Sequence, residues 1–180
     1  MDLEIECRRL GKAEFDALRL AAQPRRRLLH VAPAVSKWSA AQHLQHALFH
    51  DIAAFKDVEA ALAGRPRVET EEALSFAGHA VFTLDMIPRG GAESPEQFLP
   101  QSAPTRRELE RLFADHRARR VKLYQARARV GVCPTRMPHF ALGGMTSAEW
   151  IRFARIHLAH HVAIGRECVE AAAVDPKGTR

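Results

Sequence analysis

Two histidines near the carboxyl end of the chain share one face of a predicted helix. His157 and His161 are four residues apart, so they lie one turn apart on the same side. Trp150 and Ile164 point in the same direction, which is the middle of the apolar stripe. A buried imidazole left without partners costs about 1–3 kcal/mol. The pair is therefore interpreted either as two ligands of one metal ion or as two core histidines bonded to other groups.

A second predicted helix carries three further candidate ligands, His43, His46 and His50, on one side. None of them lies in the middle of the main apolar stripe of that helix. His46 borders Phe49 and Ala53, which could extend the buried face. Spacing alone does not choose among the three, and a structural or surface role is open for each.

The remaining histidines give weaker signals. His160 points about a quarter-turn away from His157, at the edge of the apolar stripe, which favours a solvated or outer position. His116 lies among apolar residues and is interpreted as a hydrogen-bonded core histidine. No ligand role is assigned to His30, His79 or His139.

Helical spacing dominates the chain and few segments alternate with period two, so the predicted fold class is all-α. Four long helices are predicted, at residues 12–23 or from an earlier start, 39–63, 106–130 and 147–173. A shorter helical piece is expected at 71–86, and a loop rich in Pro, Gly and Ser at 88–104. Another loop precedes the last helix. This pattern predicts a four-helix bundle with one long crossover. It forms a single domain over residues 1–180, with a frayed tail at 175–180.

Capping signals mark three of the helix starts. The pairs that fit a capping box are Ser39 with Gln42, Thr105 with Glu108, and Thr146 with Glu149. Pro24 is expected to end or kink the first helix. Glu149 is therefore interpreted as a cap rather than a general base, and Gln42 is also a candidate for an outer partner of His46.

Together, the two histidine segments resemble the DinB/YfiT superfamily of metal-binding four-helix bundles. That superfamily has a Trp-led second helix with a histidine about two turns in, matched here by Trp38 and His46. Its last helix has two histidines four residues apart, matched by His157 and His161. The resemblance implies one divalent metal ion held by His46, His157 and His161, and so selects His46 over its neighbours. It also implies a homodimer, because members commonly pair through helices.

A narrower similarity, to one uncharacterised branch of that superfamily, spans roughly residues 37–165. The branch has a Pro-basic-Gly loop before its third helix, matched by residues 88–90, and then a His-Pro-x-Phe-Gly segment, resembled by residues 138–143. In this chain His139 follows the proline instead of preceding it. Gly165 stands where the branch usually has glutamine, which removes one candidate for orienting the ligands.

Three neutral histidines leave a metal ion with its full charge and at least one open coordination position. Such an ion can lower the pKa of bound water towards about 7, or polarise a substrate oxygen. It can also bind a small thiolate. Superfamily members include thiol S-transferases, thiol-dependent isomerases and proposed hydrolases, so the resemblance implies hydrolysis or transfer to a small thiol. The alternative is a non-enzymatic bundle with a structural metal or an interaction role. Zinc, nickel and iron all suit these ligands.

No catalytic group beyond the histidines stands out. Arg120 and Arg127 could hold an anionic substrate, although the usual role of such residues is to extend to the surface. Tyr124 and Cys168 are interpreted as packing residues.

The composition excludes several other classes of protein. Hydrophobic residues form 47% of the 180 and charged residues 27%, as in ordinary globular domains. The net charge of +6 is spread along the chain apart from residues 25–27, so no nucleic-acid partner is predicted. No run of 18 apolar residues and no signal core are present, so no membrane span is expected. The three widely spaced cysteines suit a cytoplasmic protein.

Overall fold

The chain folds into a mostly helical structure with one small two-stranded sheet, so the all-α prediction is confirmed in its main part. The computed structural model describes residues 1–90 and 93–174, and the tail predicted to fray lies outside them. The elements are α1 (Leu3–Ala21), α2 (Arg25–Leu29), α3 (Ala40–Leu62), α4 (Phe76–Leu84), α5 (Arg106–Gln125), α6 (Arg127–Val132), β1 (Arg136–His139), β2 (Gly143–Thr146) and α7 (Ser147–Val174). None of the helices in these described ranges is both long and apolar enough to cross a membrane.

Polar side chains set where the long helices begin. The Asp2 carboxylate accepts hydrogen bonds from the backbone N–H groups of Glu4 and Ile5, which starts α1 well before residue 12. This helix ends at Ala21, ahead of Pro24. All three predicted capping boxes form, at the starts of α3, α5 and α7.

The last helix is the central element of the packing. It lies along both α3 and α1, and α5 packs on α3 and α1 as well. The fully buried side chains at these contacts are mainly apolar, among them Leu10, Leu44, Leu48, Phe55, Ile156 and Leu158. Because the buried faces of α3 and α7 meet, any polar residue on either face is placed inside the protein.

The segment before α7, predicted as a loop, contains an antiparallel hairpin. Met137 of β1 pairs with Met145 of β2, and both side chains are buried. Gly143 begins β2 with φ of 80°, and a Cβ there would lie 2.5 Å from the carbonyl oxygen of Ala73. The hairpin therefore needs glycine at this position, both for its backbone conformation and for the close approach.

Two helices are shorter than the sequence pattern indicates. The helix predicted at 71–86 begins only at Phe76, capped by Ser75, because the residues before it run beside the hairpin. The helix predicted at 106–130 is divided at Ala126 into α5 and α6. No proline or glycine marks that break, so helix-breaking residues could not predict it.

Candidate metal centre

The packing of α3 against α7 brings the three predicted ligands together. His46 lies on α3, His157 and His161 lie one turn apart on α7, and all three are buried. One possible ligand atom of each lies within 4.8 Å of the others. The ring of Trp38 packs against that of His46, with centroids 5.0 Å apart. These histidines could therefore hold a metal ion.

Neighbouring groups fix which nitrogen of His46 and His157 carries hydrogen. Nδ1 of His46 lies 2.9 Å from the carbonyl oxygen of Phe98, and Nδ1 of His157 lies 3.1 Å from Oδ1 of Asp51. A carbonyl or carboxylate oxygen only accepts, so both Nδ1 atoms donate. Each neutral ring then has its lone pair on Nε2, the atom left for a metal.

A short chain of hydrogen bonds also holds the ring of His161. Its Nδ1 lies 2.9 Å from Nδ1 of His43, whose Nε2 lies 2.9 Å from Oγ of Ser36. When His161 donates, His43 accepts at Nδ1 and donates to the serine, which also accepts from the backbone N–H of Trp38 at 3.0 Å. In that arrangement, which metal binding at His161 requires, Nε2 of His161 keeps its lone pair, whereas the reverse arrangement, in which the serine donates to His43, puts hydrogen on Nε2.

The two assigned lone pairs of His46 and His157 face each other. Their Nε2 atoms are 3.3 Å apart. Two unprotonated nitrogens at this distance repel each other unless a cation lies between them. With zinc–nitrogen bonds of about 2.0–2.1 Å, two ligands of a tetrahedral ion are about 3.3–3.4 Å apart. The observed spacing therefore fits two imidazoles on one metal ion.

Burial makes a proton a poor candidate for that cation. Burial lowers the pKa of His46, His157 and His161, and the pKa of His161 lies well below its usual value because four histidines also surround it. Asp51 opposes the shift at His157 without reversing it. At neutral pH all three rings are therefore neutral, which is the form that binds metal.

A buried chain of charged groups continues behind His157. Oδ2 of Asp51 lies 3.5 Å from Nε2 of His116, whose Nδ1 lies 2.9 Å from Oε2 of Glu14. Burial alone would raise the pKa of Asp51, but its histidine neighbours lower it well below the usual range. Burial alone would lower the pKa of His116, but the two carboxylates raise it. Asp51 is therefore charged and holds His157 in one orientation.

The other histidines of the cluster occupy different places. His50, Asp51 and His157 form a second group whose atoms could hold a metal. A metal ion at this second group would compete for Asp51 and His157, which are hydrogen-bonded to each other. A metal ion bound through Nε2 of His46, His157 and His161 would preserve that hydrogen bond. The first group is therefore the better candidate for a metal centre. His160 lines the neighbouring cavity but does not belong to either group.

A cavity of about 350 Å³ adjoins the three candidate ligands. His46, His157 and His161 all form part of its wall, together with His50, His139 and His160. Much of the rest of the lining is apolar. It comes from α4, from the segment between α4 and α5, and from the hairpin. A metal ion at the cluster would therefore face a space large enough for a small molecule.

The remaining sequence candidates have structural roles. Gln42 closes the capping box of α3 and donates to the carbonyl of Gln101, and neither of these bonds reaches His46. Glu149 caps α7, as predicted. Arg120 extends to Glu14 rather than to the surface. A Cβ at Gly165 would lie 2.7 Å from Leu20, so this position packs α7 against α1.

Sequence reasoning missed the partners that orient the ligands. Asp51 carries the clearest signal, because it lies three residues after Leu48 and four before Phe55, within the apolar face of α3. A carboxylate in such a position must have buried partners. The carbonyl of Phe98 gives no such signal, since every residue has one.

Comparison with protein-family models, curated proteins and solved structures finds no significant match to this chain. Three buried imidazoles, two of which have Nδ1 bound to an acceptor and Nε2 free, could serve as a ligand set for a divalent metal ion. The adjoining cavity leaves room for water, a thiolate or a substrate oxygen at the metal.

Proposed function

We propose that this protein is a divalent-metal-dependent enzyme of the DinB/YfiT type. His46, His157 and His161 bind the ion through Nε2, and the reaction is hydrolysis or transfer to a small thiol. The observation that carries the proposal is the 3.3 Å spacing of two unprotonated Nε2 atoms. The third imidazole and a cavity beside the same cluster give it further support.

The number of ligands favours catalysis over a structural role. A structural zinc ion usually has four protein ligands, whereas catalytic zinc has three and an open position. Within the described residues, His50 and His160 are not members of the ligand group, although both line the cavity. An open position would hold water with a pKa lowered towards about 7, or a thiolate.

The proposal includes the fold and assembly that the sequence resemblance implies. The mutual packing of α1, α3, α5 and α7 supports a four-helix bundle, with the segment between α4 and α5 as its crossover. We propose further that the chain is cytoplasmic and pairs through its helices as a homodimer. Zinc, nickel and iron are the metals proposed, since imidazole suits each of them.

Metal content tests the ligand assignment. Protein purified without an affinity tag is expected to carry about one metal ion per chain, measured by elemental analysis. His157→Ala should lose it, because both Nε2 and the bond to Asp51 disappear. His160→Ala, in the same stretch of α7, is the control and should keep its metal. Equal metal content in His157→Ala and the unmodified protein would contradict the assignment.

An activity screen separates the enzyme from a metal-binding bundle without catalysis. The metal-loaded protein is assayed for hydrolysis of activated esters and for conjugation of small thiols to electrophiles. Activity that His157→Ala lacks and His160→Ala keeps supports the enzyme. A protein that binds its metal and is inactive in both assays would favour the non-enzymatic alternative.

A further inference from the structure

His139, at the end of β1, lines the same cavity as the candidate ligands. Its Nδ1 lies 3.2 Å from the backbone nitrogens of both Ala141 and Leu142. A backbone N–H only donates, so Nδ1 must be unprotonated. Burial lowers the pKa of His139 to about 3. The ring is therefore neutral, and its single hydrogen lies on Nε2.

That Nε2–H group has no hydrogen-bond partner in the part of the chain that the structure describes. The rings around it are those of Phe140, Trp150 and Phe153, with centroids 4.7–5.6 Å away, and His50 at 5.7 Å. His50 is itself buried, and its Nδ1 also lacks a partner among the described residues. Two neutral imidazoles in one cavity wall thus retain unused hydrogen-bonding groups.

The rest of the cavity restricts what could use those groups. Its walls include apolar side chains such as Val81, Ile87, Leu142 and Phe153. Among the described lining residues, Glu93 is the one carboxylate, and it is exposed. No lysine or arginine is among them to hold an anion. The cavity thus fits an uncharged molecule with an apolar body and a hydrogen-bond acceptor.

We propose that the cavity binds small uncharged carbonyl compounds, and that His139 selects them by donating its Nε2–H to the carbonyl oxygen. A thiol of the same neutral molecule releases its proton to solvent and binds the metal through its sulfur. This inference rests on the proposed metal centre and names the substrate class of that site. A neutral imidazole suits the role, because it can donate to an uncharged oxygen without the desolvation that a buried cation requires.

The variant His139→Asn removes the Nε2–H donor but keeps the hydrogen bonds to the backbone of Ala141 and Leu142. An asparagine Oδ1 can accept from the backbone N–H groups of Ala141 and Leu142, as side chains do in Asx turns. Its amide is shorter than an imidazole and cannot place a donor where Nε2 lies. The loop bonds are kept and the cavity donor is lost. His139→Ala loses both, and His139→Gln keeps an N–H donor at the end of a longer side chain.

Two thiol probes of similar size test the carbonyl contact on cobalt-loaded protein. Methyl thioglycolate carries a thiol and a carbonyl, and 1-propanethiol carries the thiol alone. Binding of each is followed by the thiolate-to-cobalt absorption band. His139→Asn is expected to weaken methyl thioglycolate binding roughly 3- to 10-fold, the usual effect of one hydrogen bond. Its affinity for 1-propanethiol should equal that of the unmodified protein. His139→Gln should bind methyl thioglycolate more tightly than His139→Ala.

The outcomes distinguish this inference from the metal site on which it rests. If cobalt binds but His139→Asn leaves methyl thioglycolate affinity unchanged, or weakens both probes equally, His139 has only a structural role and the inference is overturned. If His139→Gln binds no better than His139→Ala, the donor is not the contact. If no cobalt spectrum appears in the unmodified protein, the metal centre itself is wrong and the inference is overturned with it.

Discussion

At the scale of single residues, the site depends on groups that never touch a metal. Asp51, His43 and the carbonyl of Phe98 each engage one Nδ1 atom. The carbonyl and the carboxylate fix the tautomers of His46 and His157, so that Nε2 of both rings is available, and His43 orients the ring of His161. The candidate ligands are therefore oriented before any ion would arrive, which would reduce the reorganisation that binding requires.

The substitution Asp51→Asn tests this orienting role. The amide can still accept from His157 but carries no charge, so the basicity of the ligand falls. Loss of such an outer partner typically weakens metal affinity about 10–100-fold. Competition with a chelator of known affinity measures the change.

Asp57→Asn is the matched control, because Asp57 lies on the same helix but pairs with Arg67 near the surface. Its metal affinity should equal that of the unmodified protein. If Asp51→Asn also retained full affinity, Asp51 would have no orienting role.

At the scale of elements, the hairpin positions one wall of the cavity. β1 carries His139, and β2 packs against the segment that leads into α4. The contact is very close, because Gly143 and Gly144 bring their backbones against the carbonyls of Ala73 and Glu72. The hairpin and the segment that leads into α4 therefore form one closely packed unit.

The substitution Gly143→Ala should disrupt that unit. Its Cβ would collide with the Ala73 oxygen, and φ of 80° is unfavourable for alanine. Together these effects are expected to lower the free energy of unfolding by about 1–3 kcal/mol, measured by urea denaturation. Gly131→Ala, which lies within α6 and would have Leu3 as its nearest neighbour at 3.9 Å, should leave it unchanged or raise it by up to about 1 kcal/mol. Equal stability of the two variants would show that the close contact is unimportant.

The sequence predicts elements well where local signals decide them. Ser39 with Gln42 and Thr105 with Glu108 mark helix starts because each capping box forms within one turn. The hairpin was missed because its strands are four residues each, too short for a clear period of two, and one contains Pro138. The feature of the sequence that indicates the hairpin is the pair of consecutive glycines, Gly143 and Gly144.

For the candidate site, the spacing alone predicted the burial of two of the histidines, and it left a metal ion and other buried partners as alternatives. His157 and His161 share a buried face by spacing, whereas the choice of His46 came from the family resemblance. The pairings His157 with Asp51 and His161 with His43 join residues more than 100 positions apart. Such contacts depend on how α3 and α7 are rotated against each other, and periodicity does not specify that rotation.

At the scale of the whole molecule, a line of buried polar and charged groups crosses the protein. It runs from His157 on α7 through Asp51 on α3 and His116 on α5 to Glu14 on α1. Each group is acceptable in the interior because its neighbours carry the opposite charge or donate to it. The four long helices are thus joined by buried hydrogen bonds and ionic contacts as well as by apolar ones.

The stability of the protein should therefore fall in acid partly through Glu14. Burial alone would raise its pKa, but hydrogen bonds from His116, Arg120 and Arg117 lower it from 4.5 to about 2. Because the pKa of Glu14 is lower in the folded protein than in the unfolded chain, the ionised carboxylate stabilises the fold at pH values above the unfolded-state pKa. This stabilisation is lost as the pH falls through the folded-state pKa, here between about pH 5 and pH 2. This pKa shift corresponds to a contribution of about 3 kcal/mol to the free energy of unfolding at neutral pH.

Urea denaturation of the unmodified protein and Glu14→Gln measures this contribution. The difference in unfolding free energy should be about 3 kcal/mol at pH 7 and less than half of that near pH 3. Glu110→Gln, which removes an exposed pair with Arg106, should show almost no difference at either pH. A difference for Glu14→Gln that did not vary with pH would exclude this carboxyl as the source.

The hydrogen bond from His46 to the main chain at Phe98 has an evolutionary consequence. Any amino acid at that position supplies the same oxygen, so the residue type there is free to drift without loosening the imidazole. Insertions and deletions between α4 and α5 are different, because they would carry the oxygen away from the ring. Among proteins that share this centre, selection should therefore act on the number of residues in the crossover more strongly than on their identity.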